Sequence, residues 1–393
     1  MPLQPHMKLI STDDHVIEHP TVWSDRLPAK YREAGPQIVE LVPQGAAPES
    51  RPAHIWRYEH RLYPQIALNA VAGKEREDFG LEPNRFDEIL PGCYDPKARV
   101  ADMDLDGVQA QLCFPSFPKF AGTVFLGGED RELARLCVAA YNDFMIDEWC
   151  ASAPDRLIPL VLVPFWDPAL AAAEIERCAA KGAKAVSFPE NPAPLGLPSF
   201  HTDHWDPILS AAQETGMPLC MHFGSSGKAP ATADDAPFAV SIALFGCNSM
   251  YTTADLLFSP VFHKFDRLKV ALSEGGIGWV PYMLERIDYT WDRHKHYTGI
   301  DLHTRPSDLF RKHIWGCFID DEAGIKNRHD VGIDRITWEC DYPHSDSNWP
   351  ESRRRAAEVL AEVPDDEVHR MVELNARELL GFTADLDLVA ASR

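Results

Sequence analysis

Short apolar runs alternate with longer amphipathic stretches along most of the chain, and eight of these runs predict buried β-strands. The strands cover residues 8–13, 108–114, 157–163, 184–188, 218–222, 268–273, 314–319 and 336–340. Several are almost continuously aliphatic, as expected when both faces of a parallel sheet are covered. Between them, apolar residues at helical spacing predict helices, for example over 129–150, 169–180 and 278–291. This eightfold alternation favours an α/β fold of the (β/α)8 TIM-type barrel class, with a doubly wound open sheet as the alternative.

Two segments interrupt the alternation and are predicted to be long insertions after strands 1 and 5. Residues 20–98 are rich in proline with aromatic residues between, and residues 224–252 form the second insertion. Long stretches without regular structure usually form lids or partner-binding arms, and the aromatic content argues against disorder. We therefore expect residues 1–393 to be one barrel domain, with insertions folded over the site or over a neighbouring subunit. The expected assembly is a homo-oligomer, specifically a homodimer.

The composition argues against some classes of binding partner but does not identify a substrate. The chain has 393 residues, of which 45% are hydrophobic and 25% charged, as in ordinary globular proteins. The formal net charge of -22 argues against nucleic acid or an anionic membrane as the main partner, which leaves a small-molecule substrate. The nine cysteines include no CxxC pair, which indicates reduced, buried thiols. No uncharged apolar run approaches the roughly 18 residues of a membrane span, and no signal peptide is evident, so we expect a cytoplasmic protein.

Carboxylates and imidazoles follow five of the eight predicted strands. The residues are Asp13 and His15, Glu190, His222, Glu274, and Asp341 with His344. Strand ends converge at the carboxyl face of a barrel, where so many acids would repel one another without a cation. Mixed nitrogen and oxygen donors suit zinc, iron or manganese, so the pattern predicts a divalent metal site with one ion or two. Taken singly, each residue also fits a structural role, and Glu190 fits a loop or capping carboxylate equally well.

Other residues near these strand ends are candidates for substrate contact. Ser225 lies in a Gly-Ser-Ser-Gly turn directly after His222, and Tyr342 and Trp349 follow the last strand. They are predicted to line the pocket, although aromatic residues in such positions more often belong to the core or to a subunit interface. No GxSxG, HExxH, GxGxxG or Walker A motif is present, which leaves the metal site as the centre of the chemistry.

Over most of its length the chain resembles the amidohydrolase-related branch of the metal-dependent hydrolase superfamily, which also contains aromatic-acid decarboxylases. The segments that carry the resemblance are Asp13-Asp14-His15, Trp205-Asp206-Pro207, 222–226, 262–282, 341–344 and 375–381. The resemblance implies that His15, His222 and Asp341 are metal ligands. Asp13 stands where many members have the first His of an HxH pair and the decarboxylases have Glu, and Glu274 stands where others have His. No lysine ends the fourth strand, so a carbamylated-lysine bridge between two ions is not supported.

The resemblance implies two reactions on the same ligands. In the first, which we expect, a metal-activated water cleaves an amide, ester or thioester of a small organic acid derivative. Asp341 would act as general base, and His222 or His344 would steady the oxyanion. In the alternative, the enzyme is a lyase that decarboxylates an aromatic or unsaturated acid, with Asp341 protonating the ring carbon. Hydrolysis is preferred because Glu274 replaces the histidine of the decarboxylases. A metal-free binding or scaffold protein is the third alternative.

Overall fold

The computed structural model describes residues 3–42, 51–227 and 229–384, and eight parallel strands form its centre. They are β1 Leu9–Val16, β2 Val108–Pro115, β3 Leu157–Ile158 with Leu160–Val161, β4 Ala185–Ser187, β5 Leu219–His222, β6 Val270–Ser273, β7 Ile314–Phe318 and β8 Ile336–Trp338. The first half of β3 pairs with β2 and the second half pairs with β4, while β1 pairs with both β2 and β8. The ring is therefore closed, which confirms the predicted barrel and excludes the open sheet.

Fifteen α-helices connect and flank the strands in the described residues. They are α1 Pro96–Asp106, α2 Thr123–Leu126, α3 Arg131–Phe144, α4 Pro168–Ala180, α5 Asp206–Thr215, α6 Phe238–Ala243, α7 Phe245–Phe258, α8 Val261–Lys264, α9 Val280–His294, α10 Pro306–His313, α11 Glu322–Lys326, α12 Arg328–Val331, α13 Ser352–Val359, α14 Asp365–His369 and α15 Asn375–Leu380. Asp95, Asp130 and Asp167 cap α1, α3 and α4, because each carboxylate accepts two backbone N–H groups of the first turn.

A shift in strand register turns the first two candidate residues toward the barrel interior. Ile10 belongs to the buried cluster inside the barrel, together with Ala110, Leu160 and other strand residues. Strict alternation would then turn positions 12 and 14 inward. The pairing of β1 with β2 instead shifts between Ser11 and Asp14, and such a shift redirects the side chains beyond it. Asp13 and His15 consequently face the other ligand candidates.

The first insertion is more regular than predicted. It contains an antiparallel sheet of three strands, Gln37–Leu41, Ala53–Tyr58 and Arg61–Tyr63. Trp56 of this sheet stacks on Phe117 with ring centroids 4.7 Å apart, so the insertion packs against the segment after β2. The prolines on either side of these short strands hid them from the sequence pattern. Residues 43–50 of the predicted insertion lie outside the described residues.

The second part of the second insertion is helical. We expected irregular structure until residue 252, whereas α6 and α7 begin at Phe238 and Phe245. The start of α7 contains glycine, asparagine, serine and threonine, which have low helix propensity, so its helical signal is weak. Burial of Leu256 and Leu257, nearer its other end, stabilises it against the rest of the protein. Lys228 of this insertion, like residues 1–2 and 385–393 of the predicted single domain, lies outside the described residues.

Two further expectations concern the cysteines, predicted to be reduced and buried, and the absence of a membrane-spanning segment. All nine cysteines are free, and all but Cys247 are buried, as predicted. Within the described part of the chain, every helix is too short or too polar to cross a lipid bilayer. That residues 1–393 form one domain stays a prediction.

Candidate metal centre and substrate cavity

Residues from β1, β5, β6 and β8 converge at the carboxyl end of the barrel. Asp341 Oδ1 lies 3.0 Å from His15 Nε2 and 3.1 Å from His344 Nδ1. His222 Nε2 lies 2.9 Å from Glu274 Oε2 and 3.6 Å from Asp13 Oδ2. Two sets of donor atoms, each within 4.8 Å of one another, meet at His15: Glu274, Asp341 and His344 form one set, and Asp13 and His222 the other. The structure therefore brings together six of the seven carboxylates and imidazoles predicted from strand ends.

These donor atoms are buried but make no hydrogen bonds within the described residues. The unpaired atoms are both carboxylate oxygens of Asp13 and of Asp341, Oε2 of Glu274, and Nε2 of His15, His222 and His344. Buried polar atoms in native proteins are nearly always paired, so such a concentration needs a cause. Atoms that approach one another closely without hydrogen bonding are arranged as the ligands of one cation are. The donor set of carboxylates and imidazoles fits a divalent ion.

The electrostatics of the protein alone point the same way. Burial raises the pKa of Asp13 and Asp341 well above the usual range, and the charge of Glu274 raises both further. Burial also raises the pKa of Glu274 itself. It lowers the pKa of His222 to about 4, which favours the neutral imidazole that binds metals. A bound cation reverses the effect on the carboxyls, because its charge stabilises their ionised form.

Two of the ligand candidates have unusual backbone conformations. Glu274 has φ of 53° and Asp341 has φ of 58°, in the left-handed region that non-glycine residues rarely occupy. Such residues cost free energy and cluster at functional sites, where the surrounding structure holds them. Here the Asp341 N–H donates to the Asp13 carbonyl at 2.9 Å, and the Glu274 N–H donates to the Glu339 carboxylate at 3.2 Å. These hydrogen bonds fix the direction in which both side chains leave their strands.

A fully buried arginine, Arg99, holds the backbone of the ligand candidate His15. The pattern of residues at strand ends did not reveal it. Arg99 of α1 donates to the carbonyls of Gly92 at 2.7 Å and His15 at 2.6 Å, and to Gln111 Oε1 at 3.2 Å. Gln111 in turn donates to Asp14 Oδ1 at 3.0 Å. The guanidinium also lies 4.4 Å from the centre of the Tyr342 ring. Arg99 occupies the same buried helix face as Met103 and Asp106, and that helical spacing was the available signal.

Glu190 lies outside the donor sets. Its Oε1 accepts from Asn248 at 2.7 Å, and its backbone N–H donates to Ser225 Oγ at 2.9 Å. Burial raises the pKa of Glu190 to about 7, and its Oε2 makes no hydrogen bond within the described residues. The contacts of Ser225 thus hold the loop after β4 against the loop after β5. The metal-ligand role of Glu190 and the substrate-contact role of Ser225 stay predictions.

The two aromatic candidates after β8, Tyr342 and Trp349, both contact Asp102 of α1. The Tyr342 hydroxyl donates to Asp102 Oδ2 at 2.6 Å, and the Trp349 indole donates to the Asp102 carbonyl at 3.1 Å. Tyr342 is buried, and Trp349 lines a second cavity that also reaches His344. These contacts favour a positioning role for Tyr342, and substrate contact by either residue stays a prediction.

A cavity of about 380 Å³ opens beside the donor cluster, with Glu274 and His344 in its wall. Its apolar lining includes four phenylalanines, Phe120, Phe223, Phe238 and Phe245. Phe120 stacks on His222 at 3.7 Å between ring centroids, so the apolar wall reaches the cluster itself. The first insertion contributes Ile66 and Leu68, and the second contributes the α6 and α7 residues. Both insertions therefore fold over the site, and the enclosed space suits a small molecule with an apolar ring.

A closed parallel barrel with buried carboxylates and imidazoles at its carboxyl end defines a TIM-barrel protein with a candidate metal site. A sequence model of the amidohydrolase family matches residues 53–382, and the chain belongs to this family. A solved amidohydrolase from Mycobacterium avium subsp. paratuberculosis is 20% identical, with a TM-score of 0.74 over 96% of this chain and 100% of that one. The likeness to this structure extends the barrel assignment to nearly the whole chain.

Several relatives are decarboxylases by name. The 2-amino-3-carboxymuconate-6-semialdehyde decarboxylase of Dictyostelium discoideum is 23% identical over 66% of this chain and 69% of its own length. The gamma-resorcylate decarboxylase of Polaromonas sp. is 25% identical over 62% and 76%. A 5-carboxyvanillate decarboxylase from Novosphingobium aromaticivorans, solved with bound manganese, is 20% identical with a TM-score of 0.65 over 96% and 97%. These findings overturn the expectation of hydrolysis, which is wrong: Glu274 in place of histidine did not carry the distinction.

Proposed function

We propose that this protein is a metal-dependent decarboxylase that releases carbon dioxide from an aromatic or unsaturated carboxylic acid. The observation that carries the proposal is the junction between the donor cluster and the phenylalanine-lined cavity, where Glu274 and His344 form part of the wall. An apolar ring fits such walls, and its carboxylate would face the cluster. The decarboxylase relatives support the same reaction.

His15, His222 and Asp341 would hold one divalent ion, with Asp13 and Glu274 as further ligands. A single ion is favoured because the two donor sets that contain imidazoles share His15. Manganese is the first choice among manganese, zinc and iron, since the donors include three carboxylates and a structural neighbour contains it. When bound, the ion supplies positive charge that orients the substrate carboxylate and an adjacent oxygen.

Asp341 is the proposed proton donor to the carbon that bears the leaving carboxylate. Its Oδ1 lies close to His15 and His344, and neither of its carboxylate oxygens makes a hydrogen bond within the described residues. Protonation of the ring carbon is followed by cleavage of the bond to the carboxylate. The electron pair of that bond returns to the ring and carbon dioxide leaves. His344 lies between Asp341 and the cavity, and it would return a solvent proton to the carboxylate.

Carbon dioxide release from a panel of aryl acids tests the proposal. Manganese-loaded protein is incubated with 2,6-dihydroxybenzoate, 5-carboxyvanillate and related acids in D2O, and the product should carry one deuterium at the decarboxylated carbon. Asp341→Asn should retain the fold, because asparagine tolerates the left-handed backbone, and should lose about 10²-fold or more of the rate. Absence of carbon dioxide from every acid of the panel would refute the proposed reaction.

We also propose that the protein acts on a small molecule as a homodimer. Support comes from α9, where Tyr282 and Tyr289 lie seven residues apart on one face and are 66% and 49% exposed. Exposed aromatic side chains are enriched at protein interfaces. Light scattering coupled to gel filtration tests this proposal, and a monomer at micromolar concentration would contradict it.

A further inference from the structure

One lysine, Lys119, lies in the wall of the 380 Å³ cavity, and among the described residues no other lysine or arginine lines it. Lys119 has no carboxylate within 4.0 Å in the described part of the chain, although the protein has 60 acidic and 38 basic residues. The side chain is exposed to the cavity but surrounded by protein, and this desolvation lowers the pKa of its ammonium. A cation in such surroundings gains most from an anion that enters with the ligand.

Ser116 provides a second and independent polar group in the same cavity wall. It is only 3% exposed, and its hydroxyl makes no hydrogen bond within the described residues. Ser116 and Lys119 belong to one turn, in which the Lys119 N–H donates to the Ser116 carbonyl at 3.2 Å. An unpaired hydroxyl and an unpaired ammonium on one turn are the donors that a carboxylate oxygen requires.

The turn is held in place from both sides. The Glu18 carboxylate accepts the N–H groups of Ser116 and Phe117, each at 2.8 Å, and the Ser187 hydroxyl donates to the Phe120 carbonyl. Lys119 itself has φ of 63°, in the left-handed region. Because a lysine in this conformation costs free energy, the neighbouring hydrogen bonds must hold it there. The donors of the turn are therefore preorganised.

We propose that Ser116 and Lys119 form a subsite for a second carboxylate of the substrate, so that the preferred substrates are aromatic diacids. The inference rests on the proposed decarboxylase function, in which the other carboxylate faces the metal ligands. Phenylalanines line the cavity that both groups share, which suits the ring between two carboxylates. A monoacid would leave the Lys119 ammonium without an anionic partner in the cavity, and would bind more weakly.

Binding of unreactive probes tests the subsite separately from turnover. Calorimetric titration of manganese-loaded protein compares benzoate with phthalate, isophthalate and terephthalate, the three placements of a second carboxylate. Wild-type protein should bind at least one diacid about ten-fold or more tightly than benzoate, as expected for a charge-assisted hydrogen bond. Lys119→Met should abolish this preference and leave benzoate affinity nearly unchanged, and Lys119→Arg should keep most of it. Ser116→Ala should reduce it several-fold.

Lys97→Met is the matched control, because it removes an equal charge from an exposed position on α1. It should leave the affinity ratio at the wild-type value. Absence of a diacid preference in wild type, or equal loss of benzoate and diacid affinity in Lys119→Met and Ser116→Ala, would overturn the subsite. Failure of the proposed function would look different: no carbon dioxide from any aryl acid while the diacid preference persists. Circular dichroism of each variant confirms that it is folded.

Discussion

Replacement of Arg99 by methionine should destabilise the protein more than removal of any exposed arginine. The side chain is fully buried and donates to three oxygen acceptors, the Gly92 and His15 carbonyls and Gln111 Oε1, and more weakly to a buried thiol, that of Cys113. Methionine fills much of the same volume but leaves all three acceptors without their donor. Each buried acceptor left unsatisfied costs about 1–3 kcal/mol. Since the chain can relax around the new side chain, we expect a loss of about 3–5 kcal/mol of unfolding free energy.

Urea unfolding of metal-free protein, followed by tryptophan fluorescence, measures this loss without the contribution of metal binding. Arg99→Lys should be intermediate, because an ammonium cannot reach all three acceptors in the geometry of a guanidinium. Arg354→Met is the control: that side chain is 60% exposed and pairs with Glu351 and Glu358, so its loss should be about 0–1 kcal/mol.

The same variant should also weaken the metal site, because Arg99 holds the backbone of His15. Manganese affinity, measured by titration, should fall in Arg99→Met and stay at the wild-type value in Arg354→Met. If Arg99→Met unfolds with the free energy of the control variant, the buried hydrogen bonds of Arg99 do not stabilise the site.

Three further predictions concern the site and its surroundings. Gly275→Ala should destabilise the protein by about 1–3 kcal/mol in urea unfolding, because a Cβ there would lie 2.8 Å from Ser249 Cβ. Adding Ser249→Gly to this variant should restore most of the lost stability. If the double variant is no more stable than Gly275→Ala, a steric clash is not the cause. His15→Ala should lose bound manganese by elemental analysis, whereas His344→Ala should keep it and lose turnover; equal retention by both would remove His15 from the ligand set. Metal-free protein should lose stability as the pH rises from about 6.5 to about 8, because burial raises the pKa of Glu190 to about 7 and of Glu339 to about 8. The folded-state pKa values of these two carboxyls exceed their unfolded-state values. The protonated carboxyls therefore stabilise the folded protein at low pH, and this stabilisation is lost as each group ionises. Urea unfolding at each pH measures the change in unfolding free energy, and rising stability would contradict the raised pKa values.

The barrel could be predicted because its strands are local patterns. Runs such as 157–163 and 268–273 are apolar on both faces, and their alternation with helical stretches suffices for the fold class. The same topology predicts where the ligand candidates lie. Once eight parallel strands close into a ring, the residues after each strand lie at the same end of the barrel. Asp13, His15, His222, Glu274 and Asp341 were named on that ground, and the structure brings them together.

The insertions and the reaction could not be predicted in the same way. Helix α7 begins in residues of low helix propensity and depends on packing of Leu256 and Leu257 against distant segments, which local sequence does not report. The expectation of hydrolysis failed because the same ligands serve both reactions. The comparison with decarboxylase relatives decided against hydrolysis, and the ligand set could not.

The sequence by itself determined the barrel and the set of ligand candidates, since both follow from local periodicity and strand order. Only the tertiary structure decided how charged residues elsewhere are used. Arg99 and Glu18 are buried because acceptors and donors from distant segments surround them, whereas Lys119 faces the cavity without a carboxylate within reach in the described residues. Burial of a charge depends on contacts between segments far apart in the chain, and a local pattern contains no information about those contacts.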